Sequence, residues 1–370
     1  MSKFKTTYLL GILLLLFTVA SCRKEEEILQ PWQTRLPAED CSPLKGFYLL
    51  NEGNMGSNKC TLDRFEYESG IYSRNIYPSA NPGVVRELGD VGNDIGIYGS
   101  KLYAVVNCSH LVEVMDATTA RHVATISIPN CRNIVFDGGF AYVTSYAGPV
   151  EMDPNSRRGY VARIDTLTMK VTDTCLVGYQ PEEMAIHEGM LYVANSGGYR
   201  APDYDNTVSV VDLESFREVR RIPVAINLHR MEKDGRGRLW VSSRGDNRTV
   251  SPQLLALDPE SGKVLRHVDA AVGDMAFHDG KLFIAGEGTF DVYDVDRDIL
   301  VKGGCISDGT GQTISRPYGI AVNPVNGDVL ITDARDYVTP GTLRCYNSYG
   351  YLKWTVTTGD IPAHIVFFNR

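Results

Sequence analysis

The chain has 370 residues, of which 43% are hydrophobic and 22% charged, with 35 glycines and 20 tyrosines. That mixture excludes disorder and collagen-like repeats. A formal charge of −8 without any Lys/Arg-rich run excludes nucleic acid as an expected partner, because phosphate binding needs a concentrated basic face. Such a length ordinarily suggests two domains. Abundant glycine, and the lack of long helix-forming stretches after residue 30, point instead to an all-β chain with many turns.

The N-terminus carries Lys3 and Lys5, then an apolar run from Tyr8 to Ala20, then Ser21-Cys22. The run is too short to cross a bilayer of roughly 30 Å with margin, so residues 1–21 read as a signal peptide. Val19-Ala20-Ser21-Cys22 resembles the lipobox of bacterial lipoproteins, which implies that Cys22 is lipidated and becomes the mature N-terminus. The acidic tract Glu25-Glu26-Glu27 behind it resembles the surface-export signal of Bacteroidetes lipoproteins, or else is a solvated tether. Residues 22–44, with Pro31, Pro37 and Pro43, are expected to form a flexible linker. The expected location is the outer membrane, lipid-anchored and facing the cell exterior.

From residue 45 onward one strand pattern recurs seven times. It reads Phe47-Tyr48-Leu49-Leu50-Asn51, Leu102 to Asn107, Ala141 to Ser145, Leu191 to Asn195, Leu239 to Ser243, Leu282 to Gly286 and Val329 to Asp333. The copies are spaced by 39 to 55 residues, about 47 on average. Six of them follow a short apolar strand and a turn. In the fuller units an alternating strand ending in Asp follows, as in Leu111 to Asp116 and Val208 to Asp212, and then one more strand. Four short alternating strands per unit predict a seven-bladed β-propeller over residues 45–370. The first unit lacks its leading strand and the chain ends on a spare one, Ile361 to Phe368, so the C-terminal strand is expected to complete the first blade and protect its edge.

Leu191-Tyr-Val-Ala-Asn-Ser-Gly197 followed by Asn206-Thr-Val-Ser-Val-Val-Asp212 is similar to the repeat of the YVTN/YncE-like surface propellers. Asn51-Glu52-Gly53-Asn54-Met55-Gly56 resembles the opening blade of Bacteroidetes propeller lipoproteins, among them the BtuG-type proteins that capture vitamin B12. The resemblance implies a surface protein that binds a corrinoid and passes it to a TonB-dependent outer-membrane transporter. Another small nutrient or a protein partner remains an open alternative.

In such a fold the loops after the second strand and before the first strand open on one face, around the central channel. Those loops are rich in Tyr, Arg and Asn and contain no lysine. Tyr and Arg offer broad contact area with hydrogen-bonding tips, and Asn donates and accepts. Asn51, Asn54, Tyr146, Tyr199, Arg200, Arg244, Arg335 and Tyr337 are the candidate ligand contacts. The two long insertions, 146–160 and 197–206, belong to the same face.

No catalytic signature stands out, so the chain is expected not to be an enzyme and to need no cofactor beyond a structural Ca²⁺ or Mg²⁺. One alternative uses Glu52, Asn195 and Asp333. They follow the anchor strands of blades one, four and seven and are similar in type to the cation ligands of gluconolactonase-like propellers, which implies a metal-dependent hydrolase. Seven cysteines remain after Cys22, an odd number. Cys108 and Cys131 fall on one face of adjacent blades and form the best disulfide candidate; Cys305 and Cys345 form a weaker one.

Overall fold

In a computed structural model, which describes residues 30, 32–84 and 87–370, seven antiparallel sheets form a seven-bladed β-propeller. The lipidation candidate Cys22, the signal peptide and the acidic tract lie outside the described residues. Blades two to seven occupy residues 92–127, 131–176, 181–223, 228–268, 274–301 and 317–360, each with its four strands in chain order. Their first strands contact one another in sequence around the ring. Their fourth strands form the rim: His122–Ser127 and Lys170–Leu176 are mostly exposed.

The recurring second strands are buried because each lies between two strands of its own sheet and between two neighbouring blades. Leu102, Tyr103, Ala104, Val105 and Val106 are all fully buried. The apolar core is divided accordingly into seven clusters, one per junction. Tyr48 packs with the core of blade two, Tyr103 with blade three, Tyr192 with blade five and Trp240 with blade six. Their polar tips find partners: the Tyr48 hydroxyl donates to the Ala117 carbonyl at 3.0 Å, and Trp240 Nε1 donates to Asp234 at 2.9 Å. The aspartates that end the third strands accept turn N–H groups two and three residues on, as Asp116 does from Thr118 and Thr119.

Pro362–Asn369 forms the innermost strand of the first blade and pairs with Leu44–Asn51, so the chain end closes the ring. Phe368 stacks on Tyr48 with ring centroids 4.7 Å apart. A fifth strand, Gln33–Arg35, lies at the outer edge of that sheet.

Two expectations need correcting. The stretch taken as linker up to residue 44 is packed from Thr34 onward: Leu36, Cys41 and Leu44 are buried in the core shared by blades seven and one. Lys353 holds Glu39 and Asp328 there, at 2.6 Å each. The seven described cysteines are all free thiols. Cys131 points into the apolar junction of blades two and three and donates to the Leu111 carbonyl at 3.3 Å, whereas Cys108 sits in the turn beyond Asn107. Cys305 donates to the Asp291 carbonyl at 3.1 Å, far from pairing with Cys345.

Candidate functional site

Before its apolar stretch, the first strand of each blade presents two positions toward the channel. In the register of the sheets these are Asn93-Asp94, Arg132-Asn133, Glu182-Glu183, His229-Arg230, Gly273-Asp274 and Tyr318-Gly319, with His364 from the closing strand. The deeper row ties the ring together. Asp94 accepts the Ile134 N–H at 2.8 Å, Glu183 accepts that of Met231 at 2.8 Å and Asp274 that of Ile320 at 2.9 Å, each in the next blade. Arg230 neutralises part of that row, reaching Glu183 at 2.5 Å and Asp274 at 3.4 Å.

The upper row and the loops above it enclose a cavity of about 650 Å³ at the channel mouth, lined from all seven blades. Two polar clusters shape it. On one side Glu182 accepts from Arg132 at 3.1 Å and from the Tyr146 hydroxyl at 2.6 Å, with Arg244 at 3.7 Å. Burial pushes the Glu182 carboxyl up, but Arg132 and Arg244 outweigh it and hold it below its ordinary value. Arg132 lies over the Tyr146 ring at 4.9 Å, and Tyr146 meets Tyr199 edge-on. Arg244 also contacts His229 Nε2 at 2.7 Å; burial, reinforced by Arg244 and Arg230, drives the imidazole pKa well below 6.5.

Across the mouth, Glu52 accepts from the Tyr318 hydroxyl at 2.7 Å and lies 3.4 Å from His364 Nε2. Burial, with Arg230, lowers the His364 pKa, yet the Glu52 and Asp94 carboxylates together outweigh them, so the net direction is upward. Tyr318 and Tyr337 pack edge-on, with Arg316 over Tyr337 at 5.4 Å. Further down the channel a second cavity of about 350 Å³ is bordered by Asp94, Glu183 and Glu232. Burial, with Glu183 and Asp274 nearby, raises Glu232 to about 8.

The sequence candidates separate into two groups. Tyr146, Tyr199, Arg244 and Tyr337 line the cavity; Asn51, Asn54, Arg200 and Arg335 do not. Asn51 is fully buried behind it, donating to Thr61 at 3.1 Å. Asn54 donates to the Tyr337 carbonyl and so braces the loop that carries a lining ring. Arg200 lies over Tyr179 at 3.8 Å and holds the 146–160 insertion through the Ser156 carbonyl. Arg335 borders a separate shallow pocket with Ser315 and Asp333. The proposed cation set does not converge. Asn195 is fully buried among Gly178, Thr207 and Ser209, and Asp333 accepts the Ser315 and Arg316 N–H groups. Among the described residues no group of three or more His, Cys, Asp or Glu side chains could hold a metal.

Asn93, Asn133, Glu182 and His364 also line the cavity and escaped the sequence reading. Their signal was present: a polar pair at the head of strands that turn apolar from Ile95, Ile134 and Met184 onward.

Comparison with known proteins agrees with this architecture. Hydrazine synthase of Kuenenia stuttgartiensis is similar at a TM-score of 0.62 and 14% identity, over 75% of this chain and 95% of that one. The computationally designed Ika8 protein matches at 0.57 and 12%, over 90% and 94%. A Bacteroides fragilis protein provisionally assigned as a 6-phosphogluconolactonase matches at 0.59 and 11%, over 88% and 98%. At such identities the likeness concerns the fold alone. No curated protein matches the chain. One family model does, over residues 45–347, and the chain accordingly belongs to DUF5074, described as a domain of unknown function.

Proposed function

We propose that this propeller captures a small polar ligand in the cavity at its channel mouth and does not transform it. The observation that carries this reading is the convergence of side chains from all seven blades on one cavity of about 650 Å³, an ordinary size for a small-molecule site. Burial keeps the Tyr146 and Tyr318 hydroxyls protonated, and both carboxylates they meet are already partnered. Arginine, tyrosine and asparagine donors with aromatic walls suit a ligand rimmed by amides and carrying an anionic group.

A corrinoid has that chemistry and is the ligand class suggested by the resemblance of the repeats to BtuG-type propellers. The same reading makes the chain an outer-membrane lipoprotein, anchored through Cys22 and facing the cell exterior, that hands its ligand to a TonB-dependent transporter. Incubating the full chain with cyanocobalamin and separating it by size exclusion tests the ligand. Visible absorbance eluting with the protein near one-to-one supports the reading, and a folded protein that elutes colourless refutes the corrinoid. Cys22→Ala is expected to move the protein from the membrane fraction to the soluble fraction; unchanged membrane association would refute the anchor.

A further inference from the structure

Arg244 and His229 occupy the cavity wall on blade five. An arginine side chain can only donate, so His229 Nε2, 2.7 Å from Arg244 Nη2, is the acceptor and the imidazole proton resides on Nδ1. That Nδ1 is buried and has no hydrogen-bond partner, a donor without an acceptor on a residue that lines the cavity. An unsatisfied buried donor of this kind calls for an explanation.

The charge on this side has the complementary sign. Among the described residues Glu182 is the one carboxylate within ion-pair distance of both Arg132 and Arg244, so two guanidiniums share one negative charge. The shares are unequal. Arg132 donates to Glu182 through both Nε and Nη2, at 3.2 and 3.1 Å, while Arg244 stands off at 3.7 Å with 43% of its side chain exposed. Arg244 is therefore the cation with capacity left for a ligand. The other two lining carboxylates stand elsewhere: Glu52 accepts from Tyr318, and Glu287 lies on the two-residue turn of the neighbouring blade six.

We propose that Arg244 and His229 form an oxyanion subsite within this cavity, which takes a phosphate or carboxylate oxygen of the ligand. The inference rests on the cavity being the ligand site, and it fixes one feature of the ligand, a compact anionic group. Both donors are neutral-to-cationic at all working pH values above the acid range, so the subsite selects charge by fixed donors, as guanidinium sites do.

Inorganic phosphate and acetate, titrated separately into the full chain at low ionic strength, are the probes. Saturable binding of either is expected. It should weaken at least tenfold in Arg244→Gln and in His229→Asn, and stay unchanged in Arg297→Gln, which removes a charge from an exposed turn remote from the cavity. Arg244→Lys should recover part of the loss by restoring the charge. Phosphate binding alone identifies a phosphate-bearing ligand, and binding of both identifies a general oxyanion site. Absence of saturable binding to folded protein, or equal affinity in Arg244→Gln, overturns the proposal. The corrinoid reading fails separately: phosphate bound without cyanocobalamin affinity removes the corrinoid and keeps the subsite. Cyanocobalamin bound equally well by Arg244→Gln removes the subsite and keeps the corrinoid.

Discussion

Replacing Glu232 by glutamine should stabilise the protein in a pH-dependent way. Glu232 borders the lower channel among inner-strand residues, with Glu183 and Asp94 on the same cavity and Lys233 turned to the Ile186 carbonyl. Burial, then the charges of Glu183 and Asp274, raise its carboxyl from 4.5 to about 8, with Arg230 offsetting only part. The folded chain thus holds a proton that the unfolded chain has released. Its contribution is neutral below pH 4.5, becomes steadily more unfavourable up to about pH 8, and is constant above. At about 1.4 kcal/mol per pH unit the full shift would amount to about 5 kcal/mol. The side chain is only partly buried and faces the channel, where water reaches it. Solvent screening therefore reduces the effect to about 2–3 kcal/mol. Glutamine keeps the shape and removes the titration. Urea unfolding at pH 5 and pH 8.5 should show Glu232→Gln within about 0.5 kcal/mol of the parent at the lower pH and about 2–3 kcal/mol more stable at the higher. An equal difference at both values, or a destabilised variant at pH 8.5, would refute the reasoning.

Ring closure makes a second prediction: Phe368→Ala, which empties the stack on Tyr48 and uncovers Arg64 5.0 Å away, should destabilise by about 3–5 kcal/mol. Val123→Ala on an outer strand, where the side chain is 47% exposed, should stay within about 0.5 kcal/mol; similar losses in both would contradict the packing described. For the thiols, native titration with a disulfide reagent should modify Cys108 first, because it alone of the seven described cysteines is not buried. The other six should react only in denaturant without reductant, and fewer than seven reactive thiols there would reveal a bridge.

Much of the architecture was legible because a propeller repeats its constraints. The seven anchor strands, the Asp-terminated third strands and the unpaired ends at both termini each carry a local physical reason that survives without knowing the neighbours. The site was legible only in part. Tyr146 and Arg244 directly follow their second strands, Tyr199 and Tyr337 stand further along their loops, and all four line the cavity. Asn51, Asn195 and Asp333 end the second strand, one strand removed from the channel, and their side chains tie loop bases together instead. The channel is lined by first strands, so Glu182, Asn93 and His364 mattered more than the anchor ends. Cys131 failed as a disulfide partner because strand alternation turns it into the junction between blades. Leu36 and Cys41 are buried by a groove formed by residues distant in the chain, Leu330 and Trp354 among them, which a polar, proline-bearing segment does not announce.

Calorimetric titration of the full chain with cyanocobalamin at two temperatures tests ligand capture most directly. One site of sub-micromolar affinity, with an enthalpy that becomes more negative on warming as apolar surface is buried, is the predicted result. No heat at either temperature from protein shown to be folded would contradict it.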